Sequence, residues 1–276
     1  MDTIVIASSI KDQASINIAK SILRNYPFKE VPKVIEGNPV YRAEVESREV
    51  LLITLNEELI YAQHITDVIP KPEMIIFVSR HSSLSGIPTL SVHVPGNLGS
   101  AELGGEPRRV SIAPAFAMKA ALKAMNRLVI EENLEYEVSY ECTHHGPSLD
   151  VPAMFAELGS SPENWRDEQA AMVVAQAVIE SILGFNEEKG QPALGIGGPH
   201  YNIKFTRKAI EEDIAFGHII PKYALQWIDA DIIRQCVDRT REKVRIAVLD
   251  WKGIQGLYKH QIVECLEKIG LSIVKA

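Results

Sequence analysis

The sequence reads as an α/β protein built on a mixed, mostly parallel sheet flanked by helices. Three observations carry this. Short apolar runs rich in β-formers alternate with longer stretches of helical periodicity, the pattern of strands joined by crossover helices. No internal repeat, low-complexity tract or clear linker divides the chain, so residues 1–276 are taken as a single α/β domain. The 276 residues, 46% hydrophobic and 24% charged, suffice for a sizeable core and exclude a disordered or fibrous chain.

Each element follows from its residues. Thr3–Ala7 is a short apolar run suited to a buried strand, and Ala14–Leu23 places Ile16, Ala19, Ile22 and Leu23 at helical spacing. Val50–Leu55 and Met74–Val78 are further strands. Residues 81–113 are rich in Ser, Gly and Pro and hold one strand, Thr89–Val94. So long a loop in a compact protein points to function, the more so with His81, His93 and Asn97 in it. Ala115–Glu132 is helix, rich in Ala, Leu, Met and Lys, and Tyr136–Cys142 alternates as a strand. Pro162–Leu183 is expected as a helix capped by Ser161, with Pro162 at its first position. Ala193–Gly197 is a strand entering a glycine turn. Asp229–Arg239 is helix, Val244–Leu249 strand, Gly256–Ile269 helix and Leu271–Val274 the last strand.

Charge and cysteines bound the function. With 29 Lys+Arg against 36 Asp+Glu the net charge is −7. This argues against a DNA-coating protein, which needs many cationic phosphate contacts, but not against a nucleic-acid substrate held by a local basic patch. Arg108, Arg109, Lys119, Lys123 and Arg127 form one such group, and Lys204, Arg207 and Lys208 another. The three cysteines, Cys142, Cys236 and Cys265, include no CxxC pair and form no disulfide framework. The apolar start Thr3–Ala7 lacks a basic leader, and no window nears the roughly 20 apolar residues of a membrane span. A cytoplasmic monomer with free thiols and no membrane partner is expected.

The chemistry gathers at turns after strands, where α/β sheets bind ligands. Glu141-Cys142-Thr143-His144-His145-Gly146-Pro147 offers two imidazoles and a carboxylate, suited to Zn²⁺ or to general base work. Gly195-Ile196-Gly197-Gly198-Pro199-His200-Tyr201 exposes backbone N–H groups that could hold an oxyanion. It is neither a dinucleotide fingerprint nor a P-loop. In Ser79-Arg80-His81-Ser82-Ser83, Arg80 matches a phosphate. His93 and Asn97 could form a hydrogen-bonding pair, although a lone histidine on an apolar strand equally suits the core. Gly217-His218-Ile219-Ile220-Pro221-Lys222-Tyr223 adds Lys222 as a phosphate contact. Cys142 beside His144 could be a nucleophile, but its strand position favours a buried, inert thiol. Six of the eight histidines sit beside Gly, Pro or Ser turns. His64 and His260 lie in ordinary helical contexts. There is no Gly-x-Ser-x-Gly elbow.

Five motifs, Ser79–Ser83, Val92-His93-Val94-Pro95-Gly96-Asn97, Glu141–Pro147, Gly197–Tyr201 and Gly217–Tyr223, follow one another in this chain order over nearly the whole sequence and resemble the archaeal and plant type of D-aminoacyl-tRNA deacylase. The resemblance implies hydrolysis of the ester between a D-amino acid, such as D-tyrosine, and the 3′ end of tRNA, a chiral proofreading activity. It implies a zinc cofactor and a phosphorylase/peptidyl-tRNA hydrolase-like α/β fold acting as one catalytic domain. On this reading His93, Glu141, His144, His145 and His200 surround the metal or water, with Glu141, His144 and His145 as metal ligands. Gly197 and Gly198 face the carbonyl oxygen. Arg80, His81, Asn97, Tyr201, His218 and Lys222 bind substrate, Arg80 and Lys222 through the terminal phosphates. Two alternatives stay open: a metal-independent, peptidyl-tRNA hydrolase-like esterase, and a non-catalytic tRNA-binding protein.

Overall fold

The computed structural model describes residues 3–187 and 190–276. The chain begins β1 (Thr3–Ser9), α1 (Gln13–Asn25), β2 (Lys29–Ile35), β3 (Asn38–Val45), β4 (Arg48–Leu55), α2 (Ile65–Val68), β5 (Met74–Arg80), β6 (Thr89–His93). It continues α3 (Ala115–Glu131), β7 (Glu137–Tyr140), β8 (Ala153–Gly159), α4 (Glu168–Gly184), β9 (Gln191–Ile196), α5 (Ile203–Glu211). It ends β10 (Ile214–Ile220), α6 (Ala230–Asp238), β11 (Ile246–Leu249), α7 (Gly256–Ile269), β12 (Ser272–Lys275).

The strands form two sheets. One has eight strands in the order β2-β3-β4-β1-β5-β8-β6-β7, and the other has four, β10-β9-β11-β12. The smaller sheet is parallel throughout. In the larger, β2/β3, β3/β4 and β6/β8 are antiparallel and the other pairs parallel. The fold is thus the expected mixed, mostly parallel α/β arrangement. A single apolar cluster runs from Ile4, Ile76 and Met154 of the larger sheet, through α3 and α4, to Phe216 and Val248 of the smaller. The seam between the sheets is hydrogen bonded: Cys142 N–H donates to His200 O at 3.0 Å and Thr143 N–H to Ile219 O at 2.9 Å. The sheets meet where the histidine motifs lie.

One expectation changes, and the hairpin β2–β3, strands β8 and β10 and helix α5 are additions to the elements read from the sequence. The segment β2–β3 is a hairpin, turned at Glu36-Gly37 with φ of 51° and 85°, the left-handed pair that suits the strand twist. The long helix begins at Glu168, not Pro162. The Asp167 carboxylate caps it by accepting from Gln169 and Ala170 N–H, while Ser161 instead bonds Asn164. An anionic cap at the positive helix end outcompetes a serine six residues earlier. Finally, β8 lies between β5 and β6 with every residue buried. Among the described residues no helix is long and apolar enough to cross a membrane.

Candidate active site

The turn after β7 is held by three neighbours. Glu141 N–H donates to Val92 O, Gly96 N–H to His145 O, and Gly146 N–H to Leu103 O. His145 sits at φ 41°, which swings two adjacent histidines to the same side. Together with β5 and β8 this turn lines a cleft of about 540 Å³. Its lining includes His81, Glu141, His144, His145, Glu157, His200 and Tyr201.

The cluster divides by charge. Glu141 is fully buried, yet His81 and the hydrogen bond from His200 hold its carboxyl well below the usual range against the pull of burial. Glu157 is likewise held to about 2 by His81 and His93, again against burial. Burial also opposes charge on His81, but Glu141 and Glu157 outweigh it and lift its pKa to about 10. His81 Nδ1 lies 3.1 Å from Glu141 Oε1 and 3.5 Å from Glu157 Oε2. Burial opposes charge on His200 too, while contacts with Cys142 and Glu141 raise it to about 11. Its Nε2 lies 2.8 Å from Glu141 Oε2. Two carboxylates and two imidazoliums therefore balance in the interior, as buried charges must.

The other three histidines are a different set. Burial and neighbouring histidines push His144 well below 6.5 and His145 to about 4, so both are neutral at pH 7. His144 Nδ1 lies 2.8 Å from Cys142 O and His145 Nδ1 2.8 Å from Gly146 O. Carbonyls only accept, so each ring keeps its proton on Nδ1 and presents a bare Nε2. His93 is buried and stacked on Phe155 with centroids 5.0 Å apart; its Nε2 makes no hydrogen bond but lies 3.7 Å from Glu157 Oε1. Donor atoms of His93, His144 and His145 lie within 4.8 Å of one another, as do those of Cys142, His144 and His200 and those of His81, Glu141 and Glu157. Three imidazoles, each with its Nδ1 on a backbone carbonyl, fit a divalent metal. His93, rather than Glu141, joins His144 and His145 in the all-imidazole group.

A sequence profile described as D-aminoacyl-tRNA deacylase matches residues 68–274. The chain belongs to that family. A D-aminoacyl-tRNA deacylase of Pyrococcus abyssi is 40% identical over 277 residues, spanning 98% of this chain and 99% of the relative. One from Pyrococcus horikoshii is 41% identical over 281 residues with the same coverage. One from Methanosarcina mazei is 34% identical, covering 99% of this chain and 92% of its own. The crystal structure of a conserved protein of unknown function superimposes with a TM-score of 0.87 at 30% identity, covering 99% of this chain and 95% of that one.

Of the residues expected at the site, His81, Glu141, His144, His145, His200 and Tyr201 line the cleft, and His93 packs behind His144 with ring centroids 4.2 Å apart. Others serve the scaffold. Gly197 N–H donates to Ile220 O, and Gly198 O accepts from Lys222 N–H. Neither glycine lines the cleft, and the Gly197 N–H is unavailable to an oxyanion. Asn97 Nδ2 bonds Gly104 O at 2.8 Å and Glu106 O at 3.2 Å, bracing a loop instead of pairing with His93. His218 is buried between Thr143 Oγ1 and Arg239 O, where burial lowers its pKa to about 4. Arg80 does line the cleft, but its guanidinium pairs with Glu58 at 2.5 Å, and Asp12, Glu58, Glu141 and Glu157 share that lining. A phosphate there would face four carboxyl groups. Lys222 is exposed outside the cleft lining.

The basic groups are largely neutralised. Arg108 pairs with Asp229, Arg109 with Glu106 and Asp150, Lys119 with Asp213, and Arg127 with Glu131 and Glu180. Lys204 meets Asp250, Arg207 meets Glu211 and Lys208 meets Glu212.

Sequence reasoning missed Glu157, the only charged residue in the apolar run Ala153–Leu158; that isolation was the available signal. It also missed Tyr223, whose hydroxyl lies 3.0 Å from His200 Nδ1 and 3.1 Å from Cys142 Sγ. Cys142 is buried and does not line the cleft, and its Sγ lies 3.3 Å from His200 Nδ1.

Proposed function

We propose that this protein hydrolyses the ester joining a D-amino acid to the terminal ribose of tRNA, releasing free D-amino acid and tRNA. The observation that carries the reading is the convergence of the family's histidine and glutamate motifs, distant in sequence, on one cleft of opposed charges. Water adds to the carbonyl carbon, the bond to the ribose oxygen breaks, and the water's proton ends on that oxygen. The bare Nε2 atoms of His144 and His145 position the water. The His81 imidazolium keeps one N–H on the carboxylates and leaves Nε2 without a partner, a donor suited to the developing oxyanion. His200, fixed by Glu141 and Tyr223, adds positive charge at the same place. Lys222, next to Tyr223, supplies a cation for the terminal phosphates.

Zinc fits the imidazole group, and His93, His144 and His145 would hold it. When bound, it lowers the pKa of a bound water towards about 7 and polarises the carbonyl. The His93 Nε2, which makes no hydrogen bond, supports this. We further read the protein as a cytoplasmic monomer acting on the tRNA 3′ end.

The test is deacylation of one tRNA charged with D- or L-tyrosine, before and after chelation and zinc restoration. Cleavage of the D form alone is expected, and equal cleavage of both overturns chiral proofreading. Full activity in both His144→Ala and His145→Ala overturns the site. Activity surviving complete metal removal overturns zinc and leaves a histidine-only esterase.

A further inference from the structure

The lining of the cleft has two chemical halves. One is the histidine–glutamate cluster. The other is apolar: Leu59, Ile60, Tyr61 and Leu103, with Phe155. Leu103 is 53% exposed and Tyr61 47%, large apolar side chains left uncovered in the same cleft as the charged cluster. An uncovered apolar surface inside a binding cleft marks where an apolar part of the ligand goes.

This half is stiff. Gly146 N–H donates to Leu103 O at 2.8 Å, so the loop carrying Leu103 is tied to the turn carrying His145. Gly104 lies so close to the Ile60 carbonyl that an added Cβ would collide with it. Gln63 exchanges two hydrogen bonds with Ser148, at 2.6 and 2.8 Å. The segments 59–63, 103–106 and 146–148 therefore hold one another, and a side chain lying against them meets a wall that does not yield. At this end of the cleft Glu58 is half-exposed, with one oxygen on Arg80. Its other oxygen is an acceptor suited to an ammonium group. Apolar side chain and ammonium are the two groups an aminoacyl ester carries together on the carbon next to its carbonyl.

We propose that this half receives the amino-acid part of the substrate, its side chain against Leu59, Ile60, Tyr61 and Leu103 and its ammonium on Glu58. The proposal rests on the deacylase reading, and it makes Leu103 and Tyr61 determinants of side-chain preference. Both are exposed, so Leu103→Ser and Tyr61→Ser leave the core intact, which thermal melting checks.

The experiment charges one tRNA with D-phenylalanine or D-alanine and measures kcat/KM for the wild type and each variant. The ratio of D-phenylalanyl to D-alanyl cleavage is expected to fall about tenfold in Leu103→Ser and in Tyr61→Ser, the scale of a few lost apolar contacts. An unchanged ratio in both variants overturns the side-chain wall, whether or not total activity drops. In a second arm, Glu58→Gln is expected to shrink the preference for D-phenylalanyl over N-acetyl-D-phenylalanyl-tRNA about tenfold. An unchanged preference overturns the ammonium contact. Wild-type protein that cleaves neither D substrate overturns the deacylase reading itself, and the proposal with it. An active wild type with an unchanged ratio in both serine variants overturns the wall alone.

Discussion

Two glycine- and histidine-bearing turns meet at the seam between the sheets, and they do opposite work. At the end of β7, His144 and His145 bond backbone carbonyls through Nδ1 and keep Nε2 bare. At the ends of β9 and β10, Gly197 N–H, Gly198 O and both nitrogens of His218 bond backbone groups or Thr143. The two regions look equally promising as motifs. What separates them is which polar atoms remain unpaired after folding, because only those can bond a ligand directly; His200, which follows the β9 turn and is fully paired, can act only through its charge.

Substitutions can break or sharpen that contrast. The largest effect is expected from His144→Ala or His145→Ala, a fall in kcat/KM of about 10³-fold with little change in melting temperature. Glu141→Gln comes next. It removes the shared partner of His81 and His200, and a loss of about 10²-fold in kcat is expected, with the uncharged-tRNA Kd unchanged.

His218 provides the converse. Burial lowers its pKa to about 4, so the folded state resists protonation more than the unfolded chain. Its contribution is fully present above about pH 6.5 and is lost as pH falls through about 4, on the order of 3 kcal/mol in all. Urea unfolding at a series of pH values is expected to show that slope in the wild type and a shallower one in His218→Gln. A His218→Gln variant that unfolds normally but loses a hundredfold in kcat would place His218 in the active site and dissolve the contrast.

The smallest effect concerns the scaffold alone. Asp167→Ala removes the cap of α4 and is expected to lower stability by about 1 kcal/mol, while Ser161→Ala is expected to change it by less than half of that. Equal losses would restore the helix start to Pro162.

Most strands and helices were legible locally, because apolar periodicity records which face each segment buries. The hairpin β2–β3 was not, since its strands are half-exposed and carry little alternation. Strand β8 was missed between two turn-rich stretches, and Glu157 with it.

The chain by itself determined the α/β class, the family and the histidine-bearing motifs taken as a group. Local pattern and motif order are written in residue types, which need no third dimension. Tertiary structure decided the rest. It set Glu157 of β8 beside His81 of the turn after β5, paired Arg80 with Glu58, and put Asn97 and His218 into the scaffold. It also grouped His93 with His144 and His145. Charge state, pairing and exposure depend on neighbours remote in sequence, and those neighbours exist only once the sheets are assembled.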